Sequence, residues 1–333
     1  MRAPAFWWRD EPDLIARLLT PFSLVYGAIA ARRMKQPGET IGAPVLCVGN
    51  FVAGGAGKTP TALALADLLA RAGETPAFLS RGYGGALSSS VPLRVDLARH
   101  DSAMAGDEPL LLARAFPTFI CADRVVGARA AARSGASVVV MDDGMQNPSL
   151  AKTLSIAVVD GATGVGNGLC MPAGPLRAPL EAQGGVVDAM VIIGEGASGE
   201  RVAAMAREAG CPVFTARLSP DPSVAGTLRG KRVFAFAGIG RPEKFFRTLE
   251  SCGATLDARR MFDDHHAYKP DELAAIAAAA KNLGSEIIVT TEKDACRLPA
   301  RHGITGLLAL PVTLAFDDPA GVSAFLTAGL RAD

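Results

Sequence analysis

A glycine-rich segment that ends in Lys58 and Thr59 has the most specific chemistry in this sequence. It reads Gly54-Gly55-Ala56-Gly57-Lys58-Thr59 and lies between the apolar run 45–49 and a helical pattern over residues 59–71. In a strand–loop–helix unit of this kind, glycines let backbone N–H groups point at phosphate oxygens, and the helix N-terminus favours an anion. Lys58 would reach the β- and γ-phosphates of a nucleotide, and the Thr59 hydroxyl would bind Mg²⁺. The strict GxxxxGK[ST] pattern has glycine where this chain has Val52, but ordinary glycine-rich turns rarely carry Gly-Lys-Thr at a helix start. We therefore predict a phosphate-binding loop.

Two adjacent acids, Asp142 and Asp143, follow the apolar run Val138-Val139-Val140-Met141. Acids at the end of a buried strand are typical of the element that holds Mg²⁺ beside a phosphate loop, directly or through water. Acids also end strands as plain turn residues. Because a phosphate loop precedes them, we predict that these carboxylates serve a metal.

Asp107 and Glu108 begin a predicted helix in the segment Gly106-Asp107-Glu108-Pro109. They could be a helix cap and a favourable first-turn acid. They could equally be a base for a substrate hydroxyl and a partner in a metal site. The spacing is compatible with both interpretations.

Half of the four histidines lie together in Asp263-Asp264-His265-His266. Adjacent side chains on a strand point to opposite faces, so one histidine rather than both would face a cleft, which argues against a shared metal. We favour a histidine that hydrogen-bonds a catalytic aspartate and orients it. A surface loop with two ordinary histidines is the alternative.

Arg81 and Arg177 lie in loops rich in glycine or proline. A guanidinium suits phosphate recognition because it donates parallel hydrogen bonds, although loop arginines are usually only solvated. The segment Thr291-Glu292-Lys293-Asp294 follows a predicted strand and loosely resembles the guanine-reading [NT]KxD motif. Glu292 stands where that motif has lysine, which argues against guanine specificity.

The composition indicates a folded protein with a sizeable core and does not suggest a nucleic-acid binder. Hydrophobic residues make up 49% and charged residues 20% of the 333 residues, and 34 basic against 33 acidic side chains leave a net charge of +1. That balance gives no reason to expect nonspecific binding to nucleic acid. The six cysteines have no CxxC spacing, so we expect reduced thiols rather than a zinc or redox site.

The N-terminal stretch from residue 6 to residue 31 is apolar and aromatic, and Arg32, Arg33 and Lys35 follow it. Its uncharged run over residues 18–31 is shorter than the roughly 20 residues that a bilayer-spanning helix needs, and it contains Pro21. Aromatic side chains with flanking cations suit a helix that lies at a membrane interface. A hydrophobic helix packed on its own domain is the alternative. No secretory signal peptide is indicated, because acids stand where a basic leader would be.

From residue 44 onward, continuous apolar runs alternate with helical patterns, which predicts an α/β fold with mainly parallel sheets covered on both faces. Residues 161–185 are rich in glycine and proline and are predicted to form loops. We therefore expect an N-terminal helical segment 1–40, a P-loop nucleotide-binding domain 41–155 and a second α/β domain 156–333. A last helix over residues 319–330 could pack on either domain.

Taken together, these residues resemble the tetraacyldisaccharide 4′-kinase family, which makes lipid A, and the resemblance runs from about Trp7 to Arg297. The family tolerates the missing first glycine of the phosphate loop. The matching motifs occur in the family's order and are Gly49-Asn50-Phe51 with the phosphate loop, Ser80-Arg81-Gly82-Tyr83-Gly84, Asp107-Glu108-Pro109, Asp142-Asp143-Gly144-Met145-Gln146, Gly166-Asn167-Gly168, Pro172 to Arg177, Phe236-Ala237-Gly238-Ile239-Gly240, Asp264-His265-His266 and Thr291-Glu292-Lys293-Asp294.

The resemblance implies a P-loop NTPase-like fold of two α/β/α domains with the active site between them and an N-terminal helix on the membrane. It implies ATP- and Mg²⁺-dependent phosphorylation of the 4′-hydroxyl of a tetraacyldisaccharide 1-phosphate at the cytoplasmic face of the bacterial inner membrane. The partners would be the lipid disaccharide and the membrane surface, with no nucleic acid and no obligate protein partner.

The resemblance also implies roles for individual residues. Asp107 would be the base, His265 its partner and Lys58 a catalytic cation. The other implied contacts are Gly54, Gly55, Ala56, Gly57, Lys58, Thr59, Thr291 and Glu292 for the nucleotide; Thr59, Glu108, Asp142 and Asp143 for the metal; and Arg81, Gln146, Asn167 and Arg177 for the acceptor.

One departure from the family and two rival functions remain. The family often has Leu-Arg-Glu where this chain has Leu176-Arg177-Ala178, which leaves any role of that loop open; Glu181 could substitute for the missing acid. A P-loop ATPase or GTPase switch would need a protein partner and would transfer phosphate only to water. A non-enzymatic nucleotide-binding membrane adaptor would tolerate the loss of Asp107, whereas a kinase would not.

Overall fold

The computed structural model describes residues 3–299 and 302–331, and within them it has two β-sheets with helices on both faces of each. The first sheet contains strands from most of the chain, and the second is built from one continuous stretch. The strands are β1 (Val45–Gly49), β2 (Pro76–Ser80), β3 (Leu93–Arg94), β4 (Thr118–Ile120), β5 (Val138–Asp142), β6 (Leu154–Asp160), β7 (Ala189–Ile193), β8 (Val213–Pro220), β9 (Arg232–Ala237), β10 (Thr255–Met261), β11 (Ile287–Thr291), β12 (Leu307–Leu310) and β13 (Val312–Phe316).

The helices lie between the strands, as expected for right-handed crossovers in parallel sheets. Most of the longer ones carry one apolar face toward a sheet. They are the 3₁₀ turn Ala5–Trp8 and the α-helices α1 (Leu14–Met34), α2 (Lys58–Arg71), α3 (Ser102–Ala105), α4 (Asp107–Ala113), α5 (Arg124–Arg133), α6 (Leu180–Gly184), α7 (Ala197–Glu208), α8 (Pro222–Leu228), α9 (Pro242–Ser251), α10 (Pro270–Leu283), α11 (Glu292–Arg297) and α12 (Pro319–Arg331).

The larger sheet has the strand order β13-β8-β7-β6-β1-β5-β2-β4-β3, and its pairs are parallel except for β13 with β8 and β3 with β4. Its central strands are buried along their whole length. Alternate residues of β1 enter two separate cores: Val45 and Cys47 pack on the side of α5, whereas Leu46 and Val48 pack on the side of α2. This two-sided burial is why the strands have continuous apolar sequences, and it confirms the predicted fold class.

The smaller sheet has the order β10-β9-β11-β12 and is entirely parallel. It is also covered on both faces, because Val233 and Ala235 pack with α9 while Phe234 and Phe236 pack with α10. The residues from β9 to β12 therefore form a second α/β/α unit.

The domain boundary predicted at 155/156 needs correction, because it falls within the larger sheet. β6 pairs with β1 along the whole of Leu46–Gly49, and β7 and β8 extend the same sheet. The chain changes sheet only after β8 and returns with β13 and α12, whose Val322 and Leu326 pack into the α2 side of the larger sheet. The glycine- and proline-rich stretch 161–185 connects β6 to β7 within this sheet, and it is irregular, as predicted, up to the short helix α6 near its end.

The N-terminal helix α1 has one face on the protein and one face exposed. The Ser23 hydroxyl donates to the Cys170 carbonyl at 2.7 Å, and a side chain at Gly27 would lie 3.2 Å from the Cys170 sulfur. On the opposite face, Leu18 and Phe22 are 68% and 66% exposed. By length and composition alone, this 21-residue helix of mean hydropathy 1.6 is apolar enough to cross a membrane, although it continues through the Pro21 that was expected to limit it.

Candidate functional site

The phosphate loop lies at the carboxyl edge of the larger sheet and faces a cleft between the two sheets, of about 1280 Å³. Gly57 has φ +88°, and a Cβ there would lie 2.5 Å from the Cδ1 atom of Ile193, so only glycine fits before α2 begins. Lys58 curls back over the loop, with its Nζ 3.5 Å from the Gly54 carbonyl and 3.6 Å from Asp143. The loop and the N-terminus of α2 thus present N–H groups and one ammonium to the same space, which suits a polyphosphate.

Thr59 and Asp142 meet beside this loop. The Thr59 hydroxyl donates to Asp142 Oδ2 at 3.3 Å, and among the described residues the buried Asp142 Oδ1 has no hydrogen-bond partner. Burial and the nearby charge of Glu108 raise the pKa of Asp142 to about 7. A buried carboxylate oxygen without a donor fits a hard divalent cation. Mg²⁺ takes one or two protein oxygens plus phosphates and water, so the absence of a three-ligand cluster in the described ranges is compatible with it.

Asp143 does not join this pair. It adopts φ +56°, and both of its oxygens accept from Arg177, at 2.6 and 3.1 Å. Burial opposes its ionisation, but Lys58 and Arg177 lower the pKa of Asp143 to about 2. The structure therefore places Asp143 as the partner of two cations and leaves Asp142 as the carboxylate with a free oxygen.

Asp107 lies where the two α/β units meet. Its Oδ2 accepts from Arg297 of the smaller unit at 2.7 and 3.0 Å and lies 3.2 Å from His265 Nδ1, and its Oδ1 accepts from the Glu108 N–H. Burial opposes ionisation of Asp107, but the His265 hydrogen bond and the charge of Arg297 hold its pKa well below the usual range. The hydrogen bond to Asp107 in turn raises the pKa of His265. The structure therefore brings together the aspartate and the histidine that were predicted to pair.

Two further charged contacts join the α4 segment to α11 near the same place. Lys293 Nζ lies 2.7 Å from Glu108 Oε1, and Arg114 lies 3.8 Å from Glu292. Together with the Arg297–Asp107 contact described above, they make three charged contacts between these segments. The smaller unit thus supplies cations to the acids that begin α4.

We expect Arg297→Met to destabilise the protein strongly. Arg297 is 6% exposed and joins Asp107 to Asp294, so its loss leaves two buried carboxylates without their cation. Breaking a buried ion pair from one side costs about 3 kcal/mol in the free energy of unfolding. Chemical denaturation measures this difference. Lys231→Met is the matched control, since its pair with Glu286 is exposed and worth about 1 kcal/mol or less. Equal losses in the two variants would contradict the structural weight given to Arg297.

The predicted acceptor residues do not all reach the cleft. Arg81, Arg177 and Gln146 line it. Asn167 is buried away from it, and its amide donates to the Ala173 carbonyl at 2.9 Å while its backbone N–H donates to the Trp7 carbonyl. Asn167 therefore fastens the N-terminal segment to the 161–185 loop. An asparagine between two glycines carries no sequence signal that separates this role from ligand binding.

The predicted nucleotide contacts in the smaller unit also line the cleft. The Thr291 hydroxyl caps α11 by accepting from the Asp294 N–H at 3.1 Å, and Glu292 Oε2 accepts from the Val312 N–H at 3.3 Å. Both residues line the same cleft as the phosphate loop.

Some cleft residues carry no signal in the sequence. Arg124 begins α5, is buried, and leaves its Nη1 without a partner among the described residues. Arg241 and Lys244 of the smaller unit both pair with Asp160 at the end of β6, at 3.1 and 3.3 Å. In the sequence, Asp160 is an ordinary acid at the end of an apolar strand. Its pairing with the two cations depends on how the smaller unit packs on the larger one, which the sequence does not show.

A phosphate loop and acids at the carboxyl edge of a parallel sheet, covered by a second α/β unit, define a P-loop nucleotide-dependent enzyme. Comparison with known proteins narrows this class. The LpxK family model, described as tetraacyldisaccharide-1-P 4′-kinase, matches residues 15–331, and the chain belongs to that family.

Individual relatives agree with the family match. A tetraacyldisaccharide 4′-kinase of Methylobacterium sp. (strain 4-46) is 56% identical over 99% of this chain and 98% of its own length. One from Rhodopseudomonas palustris (strain BisA53) is 50% identical over 100% and 97%. The solved structure of LpxK from Aquifex aeolicus, an "apo" form in complex with ATP, has a TM-score of 0.74 at 25% identity and covers 96% of this chain and 100% of that one.

Proposed function

We propose that this chain transfers the γ-phosphate of ATP to the 4′-hydroxyl of a tetraacyldisaccharide 1-phosphate. The family match and the names of relatives supply the reaction and its acceptor, and the ATP complex of the Aquifex relative supplies the donor. The observation that carries the proposal is that Asp107 and His265, from different units, meet across the cleft that Lys58 and the phosphate loop line.

The phosphate loop would hold the triphosphate. Backbone N–H groups of Gly54–Thr59 and the Lys58 ammonium would bind the β- and γ-phosphate oxygens and fix the γ-phosphorus in line with the acceptor. Thr59 and Asp142, with Glu108 nearby, would hold Mg²⁺, which supplies charge neutralisation on the phosphates when bound. Arg81, a predicted acceptor contact, and Arg124 also line the cleft.

Asp107 would take the proton of the attacking hydroxyl. The bond between the γ-phosphorus and the bridging oxygen breaks, the new bond to the sugar oxygen forms, and ADP leaves while the proton passes to a carboxylate oxygen. Phosphoryl transfer of this kind has a loose transition state in which the nucleophile is little activated, so a weakly basic carboxylate suffices. His265 would orient that carboxylate, and Arg297 would keep it ionised.

The apolar helix α1 would bring the site to its lipid substrate. We propose that its exposed face lies in the headgroup region of the cytoplasmic face of the inner membrane, while Ser23 and Gly27 keep the opposite face on the protein. A helix with protein contacts on one side and Leu18 and Phe22 on the other is suited to lying in the interface plane.

The proposed function is tested with purified protein in detergent, labelled ATP, Mg²⁺ and a tetraacylated disaccharide 1-phosphate. We expect label in the lipid at the 4′-position. Release of labelled phosphate to water without labelled lipid would contradict the kinase and favour the nucleotide switch.

The membrane role makes a separate prediction. Replacing Leu18 and Phe22 together with glutamate should lower association with anionic phospholipid vesicles by roughly tenfold or more, because two large apolar side chains no longer enter the interface. Vesicle co-sedimentation measures the bound fraction. The control is Leu283→Glu, since this exposed leucine lies at the end of α10 in the smaller unit. Unchanged sedimentation of the double variant would show that α1 does not bind the bilayer by this face.

A further inference from the structure

Two cations that face the acids of the site come from one short helix of the smaller unit. Lys293 and Arg297 are four residues apart on α11, so they share one face of the helix, and they contact Glu108 and Asp107 at the start of α4. Their surroundings differ. Arg297 is 6% exposed and is also held by acceptors of its own unit. Lys293 is 31% exposed, lines the cleft, and within the described ranges has Glu108 as its ion-pair partner.

The difference suits Arg297 to a fixed role and Lys293 to a change of partner. A guanidinium bound on several sides is locked in place, whereas an ammonium on a four-carbon stem with one partner reorients at little cost. Glu108, the acid that Lys293 contacts, lines the same cleft as Asp142, whose buried Oδ1 has no hydrogen-bond partner among the described residues. A divalent cation on Asp142 and the ammonium of Lys293 would therefore compete for the negative charge of Glu108.

We propose that Lys293 neutralises Glu108 until the metal binds and is then released to the γ-phosphate, as a second lysine supplied by the smaller unit. This inference rests on the proposed kinase function. Lys58 approaches the phosphates from the larger unit, and Lys293 lines the same cleft from the other side. A cation brought in after metal and nucleotide have bound stabilises charge on the transferred group in the transition state more than in the ground state.

A purely structural role for Lys293 makes the opposite prediction. If the Lys293–Glu108 pair only fastened α11 to α4, its loss would loosen the cleft and weaken metal binding. If the ammonium competes with the metal, its loss strengthens metal binding while the reaction slows.

The experiment measures Mn²⁺ binding to the full-length protein with a non-hydrolysable ATP analogue, from the electron paramagnetic resonance signal of free Mn²⁺. We expect Lys293→Met to bind Mn²⁺ roughly tenfold more tightly, because one positive charge near the site is lost. In lipid phosphorylation the same variant should lose roughly 100-fold in kcat with little change in KM for ATP. Lys293→Arg should restore part of kcat and return Mn²⁺ affinity toward the parent value.

Arg114→Met is the matched control, because it removes a cation from the same pair of helices without touching Glu108, and its Mn²⁺ affinity should stay at the parent value. If Lys293→Met does not fold, Lys293→Gln is measured in its place. Unchanged or weaker Mn²⁺ binding would overturn the inference. Because the Mn²⁺ titration uses no lipid, it is separate from failure of the parent protein to phosphorylate the acceptor, which would instead refute the proposed function.

Discussion

Asp107→Asn should lower kcat for lipid phosphorylation by roughly 10³-fold, because removing a positioned general base typically costs 10²–10⁴ in rate. The asparagine amide keeps the shape of the side chain but accepts no proton from the attacking hydroxyl. The affinity for a non-hydrolysable ATP analogue should change little, since Asp107 contacts Arg297, His265 and the Glu108 N–H and not the phosphate loop.

The matched control for this variant is Asp101→Asn. Asp101 is an exposed acid that caps the neighbouring helix α3, and asparagine caps equally well. Thermal melts of both variants establish that they are folded. A parallel loss of nucleotide binding and turnover in Asp107→Asn would mean that Asp107 is structural.

His265 completes this prediction. His265→Asn should depress turnover far more than ATP affinity, because the His265 ring contacts the Asp107 carboxylate and not the phosphate loop. If His265 acts only through Asp107, the double variant should be little slower than Asp107→Asn alone, since residues that act as a unit are not additive. Additive losses would separate the two roles.

Lys58→Met should be the other variant with a large effect. The loss of nucleotide affinity should increase with the number of phosphates on the nucleotide. The ammonium would contact the β- and γ-phosphates, so affinity should fall strongly for ATP, less for ADP and not measurably for AMP. We expect kcat to fall by roughly 10³-fold, because a preorganised cation at the transferred group is lost.

Calorimetric titration with the three nucleotides checks this gradient. Lys281→Met is the control, because Lys281 is an exposed lysine in the last turn of α10, far from the cleft. An equal loss of affinity for all three nucleotides would show that the substitution had damaged the loop rather than removed a phosphate contact.

Residues close together in the sequence were predictable from it, because their geometry is set by local backbone chemistry. Gly57 has to adopt a positive φ before a helix that starts with Lys58, and a buried strand has to precede it. The order of apolar runs gave mainly parallel sheets and a P-loop fold for the same reason, since a strand covered on both faces has no polar alternation. The Asp107–His265 pair was also expected, but through resemblance to a family and not through spacing.

Contacts between distant segments were decided only by the tertiary structure. The domain boundary was predicted just before the glycine- and proline-rich stretch 161–185, yet β6 on one side of that stretch and β7 on the other both pair into the larger sheet. The sequence of a strand does not show which strand it pairs with, because strands of both sheets are covered on both faces and therefore have similar apolar sequences. For the same reason, the sequence did not show that the chain returns to the larger sheet through β13 and α12.

The same limit applies to the charges of the site. Asn167 was predicted to contact the acceptor, but its side-chain amide donates to the Ala173 carbonyl, and Asp143 accepts two hydrogen bonds from Arg177. Lys293 and Arg297 pair with the acids of the site only because α11 packs against α4, which lies about 185 residues away along the chain. Side-chain type and local spacing therefore determined which chemistry this protein carries, and the packing of two sheets determined which charges act on it, because electrostatic interactions depend on distance through space and burial.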